Sequence, residues 1–192
     1  MPSNDEHLHT LQTSLESLEA STRELAAGLT QEQLDWSPAP GSWSIAQCFE
    51  HLVVTGSQVH PLLTQAIERA RERSLTGGHV PYRSTVIGGW MIRTFSDTTG
   101  RRRYASPRIF RPAAVPAPSV AERLGETQRE LLLLIAASEG FDLTRIKVHS
   151  PATRLIRMNL GDAFAVQVAH IGRHLAQARR VREQAGFPGA DV

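Results

Sequence analysis

Several things are scarce in this 192-residue chain. It has one cysteine, Cys48, so no internal disulfide framework can hold it together. A lone thiol suits a reducing compartment, which predicts a cytoplasmic location. The longest apolar run, Leu131 to Ala137, is far too short to span a bilayer. The opening Met1-Pro2-Ser3-Asn4-Asp5-Glu6 is polar and acidic, unlike a secretory leader. Lysine is nearly missing: Lys147 stands alone among 21 basic residues, and the rest are arginine. Against 19 acidic residues the net charge is only +2, too weak to argue for a nucleic-acid partner. Period-two patterns are short and interrupted, so strands are not expected. What remains is 41% hydrophobic and 21% charged, ordinary for one globular domain over 1–192 with no membrane partner.

The helical signals are strong. Leu8, Leu11, Leu15, Leu18, Thr22, Leu25 and Leu29 recur at spacings of three and four, giving a narrow seam on a helix over 5–28. A seam this narrow predicts packing in a bundle or between two copies. Thr30 with Gln33 reads as a capping box for one short turn, and Ser44 with Gln47 as another for a helix over 44–73. Pro61 lies inside that helix and predicts a kink. The third helix is expected over 119–139, with Ser119 and Glu122 as its capping pair, and the fourth over 160–184, capped by Asn159. Between the second and third lies a glycine- and proline-rich crossover, 74–118, holding one short helix near Ile87–Phe95 and an extended piece at Ala113–Pro118. Phe141 to Arg157 reads as a second connector. Four amphipathic helices with one long crossover define an all-α four-helix bundle.

Histidine carries the chemistry. His170 and His174 are one turn apart, 40° round the helix, on the face that must be buried. Two imidazoles at that spacing chelate one ion; they also occur as ordinary hydrogen-bonded core histidines. No glutamate follows His170, so the metalloprotease version of this spacing lacks its general base. His51 lies on the buried stripe of the second helix and is the natural third ligand. Glu50 is about 100° away from it and a poor co-ligand. Three unpaired polar rings in one core would be costly to desolvate, and a divalent ion satisfies them together.

The segment Trp43-Ser44-Ile45-Ala46-Gln47-Cys48-Phe49-Glu50-His51-Leu52, followed far downstream by His170-x-x-x-His174-Leu175-x-Gln177, resembles the DinB/YfiT superfamily. The likeness runs over nearly the whole chain. It implies a four-helix bundle holding one divalent ion, zinc or nickel, through three histidines. Residue by residue these are His51, His170 and His174. It also implies a homodimer, and a function among thiol-dependent isomerisation, thiol S-transfer and hydrolysis; some relatives are known only as products of damage-induced genes. Three neutral imidazoles leave the ion its full charge and an open position, the donor set of a catalytic site. Such an ion lowers bound water toward a pKa of ~7, or turns a bound thiol into a thiolate. The expected function is therefore a metal-dependent S-transferase using a low-molecular-weight thiol, or a hydrolase acting on a small-molecule substrate. The competing reading is a non-catalytic, stress-related module that the metal stabilises.

Other residues fill out the expected site. Gln177, Gln47, Thr55 and Gln58 are candidates to line the pocket or orient the rings. Cys48, one turn before His51, reads as a small buried hydrophobe, with a fourth-ligand role as the alternative. Trp43 is expected to pack the start of the second helix against the bundle. The crossover is rich in arginine (Arg93, Arg101, Arg102, Arg103, Arg108, Arg111) and in aromatics (Trp90, Phe95, Tyr104, Phe110). Arg103 and Arg108 are the candidates for binding an anionic substrate or thiol cofactor; a solvated loop is the plainer reading. His60, nine residues from His51, should point away from the site, and His149 is a candidate for its mouth. No catalytic residue is assigned.

Overall fold

A computed structural model describes residues 1–100 and 105–189. Four long helices dominate it: α1 (Asn4–Ala26), α3 (Ile45–Glu72), α5 (Val120–Ala136) and α6 (Leu160–Arg182). Short helices α2 (Gln31–Asp35) and α4 (Val86–Phe95) lie in the connections, with a 3-10 turn at Arg108–Phe110. Helix α1 packs on α5 and α6, and α3 packs on the same two, closing a ring of four. The all-α bundle expected from the sequence is what the chain adopts.

Local chemistry explains the boundaries. Thr30 and Ser44 each form a full capping box, with Gln33 and Gln47 returning their side chains to the cap backbone. Helix α3 then runs unbroken through Pro61, which lies on its exposed side. Leu8, Leu11, Leu15, Thr22 and Leu25 are all buried, so the seam of α1 is closed within the chain by α5 and α6. Leu18 and Leu29 of the same seam are half-buried.

Two expectations fail. Ser119 precedes α5 but its side chain caps nothing. Its backbone (φ −83°, ψ 19°) is already turned, because the Val120 N–H bonds Ala117 O; an N-cap needs extended backbone to aim its oxygen at N2 or N3. And the second connector contains a hairpin: β1 (Lys147–Ser150) pairs antiparallel with β2 (Thr153–Asn159) about a turn at Pro151. Val148 and Met158 face each other across it and are both buried. Its alternation is only a few residues long, too brief for periodicity to register.

The hairpin feeds straight into α6. Asn159 ends β2 and caps α6, accepting from the Asp162 N–H at 2.7 Å. The Asp162 carboxylate does not return to that cap. It turns to the crossover instead, where it meets Tyr82, Ser84 and Thr85.

Candidate metal centre

Helices α3 and α6 lie side by side and bring His51 to His170 and His174. All three rings are buried, 4%, 8% and 8% exposed. The Nε2 atoms of His51 and His174 lie 3.2 and 3.1 Å from that of His170. The rings stand steeply to one another, at 66° to 87°, so their edges and not their faces meet. Among the described residues this is the one group of His, Cys, Asp or Glu side chains gathered closely enough to hold an ion.

The outer nitrogens decide what the inner ones can do. His51 Nδ1 donates to the Phe110 carbonyl at 2.6 Å, and His174 Nδ1 to Gln177 Oε1 at 3.1 Å. Both partners are acceptors, so in each neutral ring the proton sits on Nδ1 and Nε2 presents a lone pair. The rings are held neutral. Burial lowers all three, His174 to about 3 and His170 well below the ordinary value. The neighbouring histidines and Arg173 push His170 and His174 down further, while the Phe110 carbonyl partly offsets the effect on His51. Two lone pairs are thus aimed at one further nitrogen. A proton on His170 Nε2 can satisfy one of them and leaves the other facing nothing but nitrogen, a costly buried arrangement. A divalent cation at the common point satisfies all three. Tetrahedral ligation at metal–nitrogen distances near 2.0–2.1 Å puts ligand nitrogens about 3.3 Å apart, close to the spacing seen. The residues present therefore fit a metal ion.

Two aromatic rings wall the cluster. Trp43 lies 4.9 Å from the His51 ring and 5.8 Å from that of His174, so it faces the cluster itself. Phe95, at the end of α4, meets His170 edge-on at 5.0 Å. Trp43 also lines an open groove of about 700 Å³, together with the loop 37–42 and Gln47.

The remaining candidates are scattered. Gln177 orients His174, as above. Gln47 is spent on the capping box and on a bond from Nε2 to Ala114 O, 3.2 Å. Thr55 Oγ1 donates to the His51 carbonyl at 2.7 Å and so touches its backbone, not its ring. Gln58 is exposed and lines nothing near the rings. Cys48 is fully buried outside the cluster, and burial pushes its thiol up to about 12, the behaviour of a small core residue. Arg108 is exposed at the head of the 3-10 turn; Arg101, Arg102, Arg103 and Tyr104 lie outside the described residues. Glu50 pairs with Arg123 at 2.9 Å, and His60 with Glu130 at 3.1 Å, both away from the rings. His149 lies on the hairpin, which joins α6 at Leu160, ten residues or about 15 Å along the helix from His170.

Sequence reasoning missed Phe110, whose carbonyl fixes the tautomer of His51. No residue pattern encodes a backbone carbonyl, and only the path of the crossover brings it there. In sequence the crossover offers arginines interleaved with aromatics, Phe95 and Phe110 among them; what it brings to the rings is the Phe95 side chain and the Phe110 main-chain oxygen.

A helical bundle with three buried histidines converging from two helices defines a class of candidate metal-binding proteins. The chain belongs to the DinB superfamily, whose family model matches residues 14–178. No curated protein and no solved structure matches it. Among the described residues no helix is long and apolar enough to cross a membrane.

Proposed function

We propose that the protein is a metal-dependent enzyme whose single divalent ion, zinc or nickel, is held by His51, His170 and His174. The convergence of two oriented imidazole lone pairs on a third buried ring carries this reading. Phe110 and Gln177 hold the ligand rings in the metal-accepting tautomer and fix their direction. An ion with three neutral ligands supplies Lewis acidity that lowers the pKa of a coordinated thiol or water to near neutrality. Trp43 and Phe95 exclude bulk water from the flanks and offer aromatic surface, which makes favourable contacts with sulfur. This favours S-transfer from a low-molecular-weight thiol over hydrolysis.

The test is elemental analysis of protein purified without a histidine tag, followed by thiol addition to a cobalt-substituted sample. One ion per chain, lost in His51→Ala, and a sulfur-to-cobalt charge-transfer band are expected. A metal-loaded protein that turns over no electrophile with any thiol in a broad screen, and hydrolyses no ester or amide, would overturn the enzymatic reading. If chelation then lowered only the melting temperature, the ion would be a stabiliser of a binding module.

A further inference from the structure

Helix α4 sets a crossover side chain, Phe95, against the histidines, and α6 grips it at both ends. At its start, Thr85 is the cap residue, and its N–H and Oγ1–H both donate to Asp162 Oδ2, at 2.8 and 2.7 Å. Tyr82 and Ser84 donate to the other oxygen at 2.6 and 2.5 Å. At its finish, Arg173 Nη1 donates to the carbonyls of Thr94 and Asp97, at 3.3 and 2.8 Å. Arg180 continues the row with a bond to the Thr98 carbonyl.

The geometry of the two helices matches. Asp162 and Arg173 are eleven residues apart, which on a helix is about 16 Å of rise and about 20° of turn. Helix α4 has ten residues, about 15 Å. The two side chains therefore stand on one face of α6 at the separation of the two ends of α4. Their signs match as well, with the carboxylate at the positive end of the α4 dipole and the guanidinium at its negative end. Contact is close enough to require Gly88, where an added Cβ would lie 2.1 Å from Asp162 Oδ2.

Asp162 is completely buried, and no basic side chain pairs with it among the described residues. For stability alone, an apolar contact of the same shape would serve as well. A four-donor socket instead sets position. His170 lies about 80° round α6 from Asp162, so a helix laid along the Asp162–Arg173 stripe flanks the histidine face. The residue it presents there is Phe95.

We infer that Asp162 and Arg173 are positioning residues: they pin α4 by its two ends, so that Phe95 stands as a fixed wall beside His170 and limits which ligands reach the ion. The access half of this inference rests on the metal reading above; the clamp itself does not.

The experiment uses the full chain with Asp162→Asn, Phe95→Ala and the double variant. In metal-free protein, amide hydrogen exchange from Gly88 to Ser96 should speed at least tenfold in Asp162→Asn, with α3 and α5 unchanged. In cobalt-loaded protein, the affinity ratio of a bulky aromatic thiol to 2-mercaptoethanol should rise about fivefold in Phe95→Ala. It should rise in the same direction in Asp162→Asn, and the double variant should go no further than Phe95→Ala, because the carboxylate acts through that ring. Unchanged exchange in α4 overturns the clamp. Additive shifts, or an unchanged ratio in Asp162→Asn, overturn its action on the site. Should Asp162→Asn not fold, Ser84→Ala removes one donor from an exposed residue and must shift both readouts the same way, less strongly, or the inference fails. A chain that takes up no cobalt overturns the metal reading and the access half with it, while the exchange measurement still decides the clamp.

Discussion

Acid should weaken the metal-free protein by an amount that the three clustered rings dictate. In the native state they are neutral because burial lowers them, His174 to about 3. In the unfolded chain each returns to its ordinary value of 6.5. Below that value the unfolded state binds more protons than the native one, so stability falls as the pH falls. The contribution is fully present above about pH 6.5 and is lost progressively toward the folded pKa, about pH 3 for His174. A ring that stays neutral in the native protein, as His170 and His174 do, loses on the order of 2 kcal/mol between pH 6.5 and pH 5, and His51 acts in the same direction. Losses of that size are a sizeable share of the whole stability of many domains, roughly 5–15 kcal/mol. His7 and His60, also lowered by burial, act in the same sense. Urea unfolding of chelator-treated protein, followed by circular dichroism from pH 7.5 to pH 5, measures the effect. His170→Gln should flatten the acid limb by as much as about 1.4 kcal/mol per pH unit, one proton's worth. A stability that does not change over this range, or an identical slope in His170→Gln, would refute the assignment of the rings as neutral and buried.

Two further outcomes test the packing. Cys48, buried with its thiol pushed up to about 12, should resist an aromatic disulfide reagent at pH 8 in the native protein and react with one equivalent once the chain is unfolded. At Gly56 an added Cβ would lie 2.4 Å from Thr127 Cγ2, so Gly56→Ala should cost about 1–3 kcal/mol by forcing α3 from α5. Thr127→Ser, which removes that methyl and keeps the hydroxyl, should recover most of the loss in thermal unfolding.

Much of this molecule was legible in one dimension. The leucine spacing of α1, the capping pairs Thr30–Gln33 and Ser44–Gln47, and the Asn159 cap of α6 are local chemistry between residues a turn or two apart, and they read directly. His170 and His174 read as a pair for the same reason, since a helix fixes their separation before anything else folds. His51 joined them through its place on a buried stripe and through the family's motif order. In sequence, a leucine seam looks the same whether a second copy or the same chain covers it.

Tertiary structure alone decided the rest. The hairpin at 147–159 is held by partners across a turn and by burial of Val148 and Met158, not by the propensity of either strand. Ser119 failed as a cap because the preceding turn had already set its backbone. The carbonyl of Phe110 on His51 and the carboxylate of Asp162 under α4 join residues 59 and 77 positions apart. Local patterns report what a helix or turn will be; the direction of a buried lone pair depends on which distant backbone the folded chain carries past it.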